Sequence, residues 1–291
     1  MQSPAEWRIF GASIQGALHG NAGMPNQDVW DHWLDAASSS AAVAVADGHG
    51  AARHFRSDIG ARAAVDAALA ALKQFAALGG TPDQSQLQAI SVDIERRWNE
   101  IVARHISNNP METSEMPAIA YGSTLLAALL TPRYLALWQI GDGDIVCVDA
   151  AGTATLPVPA DPTLIGSRTT SLCQPNAWRA FRTQLVTGLP VIVLLSTDGY
   201  ANSFRSETDF LKIGPDYLRL LQEDPADLRT QLPQLLADSS LHGSGDDTTL
   251  AILERVAPLE SPPRRKKVQR PFWQRWFGHE EMITLFDDAP D

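Results

Sequence analysis

The chain has 291 residues, of which 44% are hydrophobic and 20% are charged, and its formal net charge is -11. This composition is typical of a globular protein with one large core and excludes a disordered chain. The acidic balance repels nucleic-acid phosphates, and the body of the sequence carries no basic patch, so we expect no nucleic acid among its partners. Two cysteines, Cys147 and Cys173, are too few for a disulfide framework.

The beginning of the chain has neither a basic segment nor an apolar stretch. No later run approaches the roughly 20 apolar residues that a membrane-spanning helix needs. We therefore expect a cytoplasmic protein without a secretory signal or a membrane span.

The first half of the chain predicts one buried strand and two helices. Residues 41–46 are a short apolar run that enters the turn motif Asp47-Gly48-His49-Gly50, which indicates a buried strand. Residues 53–78 carry apolar side chains at three- and four-residue intervals and end at Gly79-Gly80, which indicates a helix. The same spacing over residues 87–105 predicts a second helix, which stops at Asn108-Asn109-Pro110.

The second half is richer in short β-prone runs. Residues 123–130, 133–140 and 145–148 are separated by turn sequences, and we predict a meander of antiparallel strands. Further elements are predicted at residues 191–195 (strand), 207–221 and 226–239 (helices) and 250–253 (strand). Helices grouped between blocks of strands favour an α+β fold over a wound parallel sheet. We expect a central β-sandwich of two antiparallel sheets, flanked by helices on the outer faces in four α-β-β-α layers.

We divide the chain into a catalytic domain, residues 1–256, and a C-terminal segment, residues 257–291. The segment begins with prolines and the basic run Arg264-Arg265-Lys266-Lys267, which is typical of a linker. An aromatic tail around Trp273 follows. This tail could serve as a docking segment for a partner, fold back on the domain as a short helix, or lie at a membrane surface.

Acidic residues recur where a predicted strand gives way to a turn. They lie in the motifs Asn26-Gln27-Asp28, Asp47-Gly48-His49-Gly50, Gly141-Asp142-Gly143-Asp144, Thr197-Asp198-Gly199 and Gly245-Asp246-Asp247-Thr248. An aspartate in any one such motif is typical of an ordinary turn, because its carboxylate bonds nearby backbone N–H groups. Asp47 and Asp198, however, both follow fully apolar strands. The set therefore predicts carboxylates that meet at one edge of a buried sheet.

Buried carboxylates repel one another, and a hard cation is the usual remedy. Oxygen donors without a cluster of His or Cys favour Mg²⁺ or Mn²⁺ over Zn²⁺. Two such ions, roughly 3.5–4 Å apart and bridged by one carboxylate, lower the pKa of a water enough to attack a phosphate ester. The motifs therefore indicate hydrolysis of phosphate esters.

The ordered series resembles the metal-dependent type 2C serine/threonine protein phosphatases, the PPM family, in a bacterial form. The resemblance covers about residues 11–253 and includes His19 with Asn26-Gln27-Asp28, then Val45 to Gly50, Gly122-Ser123-Thr124 and the three later acidic motifs. It implies hydrolysis of phosphoserine and phosphothreonine in proteins, by direct attack of a water activated by two Mn²⁺ or Mg²⁺ ions. Phosphorylated proteins, including a cognate Ser/Thr kinase, are then the expected partners.

The resemblance also assigns roles to the metal-site residues. Asp47 would bridge the two ions, and the Gly48 carbonyl would help to bind the second. Asp198 and Asp246 would hold the first ion.

Three further residues receive roles in the same way. Asp28 would act through a water on a metal ion, and Asp142 matches the position of a weaker third metal. His49 would be the general acid that protonates the leaving alkoxide, because histidine titrates near physiological pH.

The sequence departs from the family at three places. Gln27 stands where the family commonly has Glu, and a neutral amide oxygen is a weaker metal ligand than a carboxylate. Gly23 stands where many members have an arginine for the substrate phosphate. Gly143-Asp144 replaces a frequent Ser-Arg pair.

These departures keep a second hypothesis open, in which the chain is a weak pseudophosphatase that binds phosphoproteins without hydrolysing them. A two-metal nuclease is a third hypothesis, which the acidic body of the chain disfavours.

Overall fold

The computed structural model describes residues 6–111, 116–161, 169–186 and 188–256. These residues form two antiparallel five-stranded sheets. The first sheet has the order β1-β10-β9-β6-β7, where β1 is Glu6–Ile14, β6 Asp144–Val148, β7 Ala154–Thr155, β9 Ile192–Ser196 and β10 Thr248–Val256. The second has the order β2-β3-β4-β5-β8, where β2 is Val29–Asp35, β3 Ser40–Ala46, β4 Leu125–Leu130, β5 Leu135–Ile140 and β8 Arg182–Val186.

Helices cover the outer face of each sheet. They are α1 (Ala17–Ala22), α2 (Ser57–Ala76), α3 (Gln84–Asn108), α4 (Asp198–Ala201), α5 (Glu207–Phe210), α6 (Ile213–Glu223) and α7 (Pro225–His242). Short 3-10 helices occur at Ala52–His54, Pro117–Tyr121 and Ala177–Ala180. The long helices α2 and α3 pack on the second sheet, and α6 and α7 pack on the first. Among the helices that the structure describes, none combines the length and the hydropathy that a membrane-spanning segment requires.

Three apolar layers hold the sandwich together. The middle layer lies between the sheets and includes Val45, Leu126, Val193 and Leu253. The two outer layers join each sheet to its helices. Strands β3, β4 and β5 are buried on both faces, which explains why their sequences are continuous apolar runs without alternation. The predicted α+β, four-layer α-β-β-α fold is confirmed.

The helix boundaries follow from local chemistry. Asp83 begins α3, where its side chain accepts from the Gln86 backbone and the Gln86 side chain accepts from the Asp83 backbone. This reciprocal pair satisfies two N–H groups that have no partner within the helix. Helix α2 lies close to the 3-10 helix Pro117–Tyr121, because Gly60 has no side chain to hold the two apart.

The predicted meander is wrong in its last strand. Strand β6 does not pair with β5 but with β9 and β7, so it belongs to the opposite sheet. Both edges of β5 are already paired, one with β4 and the other with β8. The connection Gly141-Asp142-Gly143, with Gly141 at φ +100°, carries the chain across the sandwich.

Other elements differ from the sequence prediction. The predicted helix at 207–221 is two helices, α5 and α6. The predictions omitted the strands β1, β2, β7 and β8 and the helices α1 and α4. The edge strands β2 and β8 are only partly buried, so they lack a strong apolar pattern. The predicted linker and tail, residues 257–291, lie outside the described residues.

Candidate active site

The segment that carries Asp47 is fixed by pairing with the segment before β4. The Thr124 N–H donates to the Asp47 carbonyl at 2.9 Å, and the His49 N–H donates to the Gly122 carbonyl at 3.1 Å. The Asp47 N–H in turn donates to Thr124 Oγ1 at 3.1 Å. This extended pairing continues β3 beyond its end and fixes the directions in which Asp47 and His49 point.

Gly48 occupies a position that no other residue fits. A Cβ there would lie 2.7 Å from the Ser57 carbonyl oxygen and 2.9 Å from that of Gln27. The Gly48 N–H donates to the same Gln27 oxygen at 3.1 Å. The turn after Asp47 is therefore packed tightly between α2 and the segment before β2.

Asp47 and Asp198 come together from different sheets. Asp198 is the first residue of α4, directly after β9, and its carboxylate accepts a hydrogen bond from the Asp47 side chain. Burial raises the pKa of Asp47 well above its usual range, and the neighbouring charges of Asp28, Asp198, Asp246 and Asp142 raise it further. Burial raises the pKa of Asp198 to about 6, with added repulsion from Asp142 and Asp246.

Asp28 lies beneath these groups and is 5% exposed. Burial raises its pKa to about 8, although Thr197 Oγ1 donates a 2.8 Å hydrogen bond to Asp28 Oδ2. Thr197 Oγ1 also accepts from the Thr249 N–H at 3.0 Å. The second carboxylate oxygen, Asp28 Oδ1, is buried without a hydrogen-bond partner in the described part of the chain. This oxygen can therefore bind a cation as a ligand or accept a hydrogen bond from a water.

Adjacent aspartates at the start of β10 have different surroundings. Asp247 is buried and accepts hydrogen bonds from the Gly16 and Gln27 backbone N–H groups, both at 2.7 Å. Its Oδ2 also lies 3.0 Å from His19 Nδ1. The Asp246 side chain is 47% exposed and lies 3.3 Å from His19 Nε2. Asp247 therefore holds the backbone of the first acidic motif in place, whereas Asp246 faces the open edge.

Asp142 and Asp144 extend the acidic edge at the turn between β5 and β6. The charge of Asp142 acts on both Asp47 and Asp198. Asp144 is more enclosed, and burial, followed by the charges of Asp198 and Glu207, raises its pKa to about 7. It lines a cleft of about 290 Å³ together with Asn202, whose side chain donates to Asp198 Oδ2 at 3.1 Å.

His49 packs against a second histidine. The ring centroids of His49 and His54 are 4.9 Å apart, with an interplanar angle of 67°. Burial lowers the pKa of His49 to about 4, and the charges of His54 and Arg53 lower it further. His49 is therefore neutral at pH 7 when no substrate is bound.

The donor set fits hard divalent cations. The side chains that converge on Asp47 all offer carboxylate oxygens, and one oxygen of Asp28 lacks a partner among the described residues. Within the described ranges, no group of three or more His, Cys, Asp or Glu side chains is arranged so that it could hold a metal ion as it stands. An ion at this edge would therefore need backbone carbonyls and waters as well, a coordination that Mg²⁺ commonly adopts.

The structure thus brings four of the sequence-predicted aspartates, Asp28, Asp142, Asp198 and Asp246, within electrostatic reach of Asp47. Sequence reasoning did not assign Asp247, Thr197 or Asp144. Asp247 had a usable signal, since it follows Asp246 directly in the motif. The threonine had none, because its partner Asp28 is 169 residues away.

A model of the family described as protein phosphatase 2C matches residues 15–237. The chain therefore belongs to the protein phosphatase 2C family, and its class is that of the metal-dependent phosphoprotein phosphatases. A comparison with curated proteins gives no match.

Solved structures with the same fold include bacterial serine/threonine phosphatases. The catalytic domain of the phosphatase PstP, in complex with two manganese ions, is 19% identical with a TM-score of 0.55, covering 87% of this chain and 99% of that one. Stp1 from Staphylococcus aureus is 16% identical with a TM-score of 0.57, covering 88% and 96%. The S. agalactiae serine/threonine phosphatase is 18% identical with a TM-score of 0.56, covering 86% and 100%.

Proposed function

We propose that this chain hydrolyses phosphoserine and phosphothreonine in proteins with the help of two Mn²⁺ or Mg²⁺ ions. The observation that carries the proposal is the contact between Asp47 and Asp198, two carboxyl groups from opposite sheets that lie within hydrogen-bond distance. Three further carboxylates act on Asp47 at the same edge. The solved structure of PstP, which contains two manganese ions, agrees with this choice of metal.

The division of residues between the two ions follows the resemblance to the family. Asp47 lies centrally and would bridge both ions, with the Gly48 carbonyl on the second. Asp198 and Asp246 would hold the first ion. When bound, the ions supply Lewis acidity, which lowers the pKa of a water and neutralises charge on the phosphoryl oxygens.

Two aspartates would act at the margins of this arrangement. Asp28 is held by Thr197 and would act through its Oδ1 oxygen, which has no hydrogen-bond partner among the described residues and can accept from a water. Asp142, on the turn before β6, would serve a weaker third ion. Both assignments need only oxygen donors, which these hard cations prefer.

His49 would protonate the serine or threonine oxygen as it leaves. The neutral His49 of the free protein is a poor acid, but a phosphate dianion placed beside it stabilises the imidazolium form. The substrate itself would thus raise the pKa of His49 toward the physiological range. His49 would then act as a proton donor only while substrate is bound.

The test of this function is substitution at the central contact. Asp47→Asn and Asp198→Asn should lower Mn²⁺-dependent turnover of a phosphopeptide by about 10³-fold or more. Each substitution removes a negatively charged ligand that would hold the metal ions in place. Asp66→Asn, an exposed aspartate on α2, is the matched control and should turn over normally. Near-normal activity in both site variants would refute the proposal.

The alternative function is that of a phosphoprotein-binding module without turnover. Gln27 in place of a carboxylate, and Gly23 in place of an arginine, favour it. Calorimetric titration separates the two functions, because the enzyme should bind two ions and turn over substrate. The module should bind a phosphopeptide that remains intact.

The substrates are proposed to be targets of a cognate Ser/Thr kinase. A phosphoproteome comparison between cells with the wild-type protein and cells with Asp47→Asn would identify them. Phosphosites that accumulate only in the variant are the expected result.

A further inference from the structure

Arg53 and His54 form an ordered pair beside His49. Arg53 Nε donates to His54 Nε2 at 2.9 Å. His54 Nδ1 lies 2.5 Å from the Ile119 carbonyl oxygen, which can only accept, so the ring proton of His54 is on Nδ1. The Nε2 atom is therefore free to accept from Arg53, and the two hydrogen bonds are mutually consistent.

The His54 ring is held rigidly. It is 4% exposed, and a Cβ on Gly122 would lie only 2.4 Å from His54 Nδ1, so the ring packs directly against the backbone there. The same Gly122 carbonyl accepts from the His49 N–H. His54, which holds Arg53, therefore packs against the same segment that fixes His49.

The two terminal nitrogens of the Arg53 guanidinium make no hydrogen bond or ion pair with the described residues. Arg62 and Arg97, by contrast, each pair with a carboxylate. The Arg53 side chain is exposed. A guanidinium with its Nε anchored presents its two terminal amino groups as a planar fork, which matches two oxygens of a phosphate.

The position of this fork suits a substrate at the acidic edge. The rings of His54 and His49 are 4.9 Å apart, and the charge of Arg53 acts on His49. Metal ions held by the aspartates around Asp47 would contact the phosphate from one side, and a guanidinium can bind the phosphate oxygens on its other side. Gly23 has no side chain to provide such a group.

We propose that Arg53 binds the phosphate group of the substrate, and that His54 is the positioning residue that holds its guanidinium. This inference rests on the proposed phosphatase function. It deepens that function by adding a substrate-binding residue that the acidic motifs do not include. The two residues come from the 3-10 turn between the Asp47 motif and α2.

The test measures phosphate binding separately from turnover. Inorganic phosphate is titrated calorimetrically into the Mn²⁺-loaded wild-type protein and into Arg53→Ala, and KM for a phosphopeptide is measured for both. Loss of a charged bidentate contact should raise the phosphate dissociation constant and KM roughly tenfold or more. The phosphate dissociation constant and KM of Arg53→Lys should lie between those of wild type and Arg53→Ala, because lysine keeps the charge but cannot bind two oxygens at once. Mn²⁺ affinity should be unchanged.

Two further variants separate binding from structure. Arg104→Ala removes the same charge from an exposed position on α3 and should change neither constant. His54→Asn can keep a donor for the Ile119 carbonyl, but its shorter side chain places no acceptor where His54 Nε2 meets Arg53, so phosphate binding should weaken. In a protein that already carries Arg53→Ala, the same substitution should have no additional effect.

Each other outcome has a defined meaning. The inference would be overturned if the phosphate dissociation constant and KM of Arg53→Ala lay within twofold of wild type. It would also be overturned if Arg53→Ala lost Mn²⁺ affinity to the same extent, or if the wild-type protein bound no phosphate. A wild-type protein that binds phosphate but turns over no substrate would overturn the proposed function alone. In that case the phosphate titration still decides the role of Arg53.

Discussion

The Asp47 side chain donates a hydrogen bond to the Asp198 carboxylate, and this contact joins the two sheets of the sandwich. Asp47 follows β3 of the second sheet, and Asp198 follows β9 of the first. The shared proton removes the repulsion that two charged carboxylates would have at this distance. A divalent cation would relieve the same repulsion, so protons and metal ions should compete for this site.

This competition predicts how stability depends on pH. The pKa of Asp28 is about 8 and that of Asp198 about 6 in the folded protein, both above the ordinary 3.8. The folded state therefore binds more protons than the unfolded state between about pH 4 and pH 8, and stability falls as pH rises through this window. His49, with its pKa lowered to about 4, has the opposite effect up to its ordinary 6.5, but the raised carboxyl groups outnumber it.

We expect the metal-free protein to have a lower free energy of unfolding at pH 8 than at pH 5, measured by urea denaturation in a chelator. Saturating Mg²⁺ should stabilise it more at pH 8 than at pH 5, because the carboxylates must lose their protons to bind the ion. Asp198→Asn should flatten the pH dependence. Stability that rises steadily from pH 5 to pH 8 without metal would contradict this prediction.

A second prediction separates the two adjacent aspartates of β10. Asp247→Ala leaves the Gly16 and Gln27 N–H groups without their acceptor, so it should lower the free energy of unfolding by about 2–4 kcal/mol. Asp246→Ala removes a single hydrogen-bond acceptor, that of the Asp247 N–H, at a half-exposed side chain, so it should cost only about 1 kcal/mol and instead abolish Mn²⁺-dependent turnover. Urea denaturation and a phosphopeptide assay on both variants check it. The prediction fails if Asp246→Ala is the less stable variant.

A third prediction concerns Gln27. Its Nε2 donates to Ser57 Oγ at 2.5 Å, and its Oε1 is buried without a partner among the described residues. Gln27→Glu adds a carboxylate close to the acidic edge, so it should tighten binding of the weaker of the two ions, by roughly tenfold, and destabilise the metal-free protein at pH 8. Calorimetric titration with Mn²⁺ measures the affinity. Ser57→Ala, which removes the hydrogen bond but adds no charge, should leave metal affinity unchanged.

A fourth prediction tests the packing of α2. Alanine is normally better than glycine inside a helix by about 1 kcal/mol. At Gly60, however, the added Cβ would lie 2.0 Å from the Tyr121 carbonyl oxygen, so Gly60→Ala should destabilise the fold by about 1–3 kcal/mol. Gly20→Ala in α1, where the nearest atom is 3.7 Å away, should be neutral or stabilising. If Gly60→Ala has the higher denaturation midpoint of the two variants, the backbone around Tyr121 can shift to accommodate the added Cβ and the prediction is wrong.

The fold could be predicted from the sequence where burial leaves a local pattern. Strand β3 and helix α3 were predicted close to their observed bounds, because a continuous apolar run and a helical apolar repeat are visible in the sequence itself. Strands β2 and β8 were missed, since partly buried edge strands carry a weak pattern. The assignment of β6 to the opposite sheet depends on which strand edges are still unpaired, and no local pattern records that.

The candidate site divides in the same way. The turns that carry aspartates, and their order, can be read from the sequence, because each turn directly follows an apolar strand in the chain. Three other relationships depend on tertiary packing: Asp47 contacts Asp198, Asp247 binds the backbone of the first acidic motif, and His54 holds Arg53 while packing against Gly122. These relationships rest on contacts between segments far apart in sequence, which come together only when the two sheets pack.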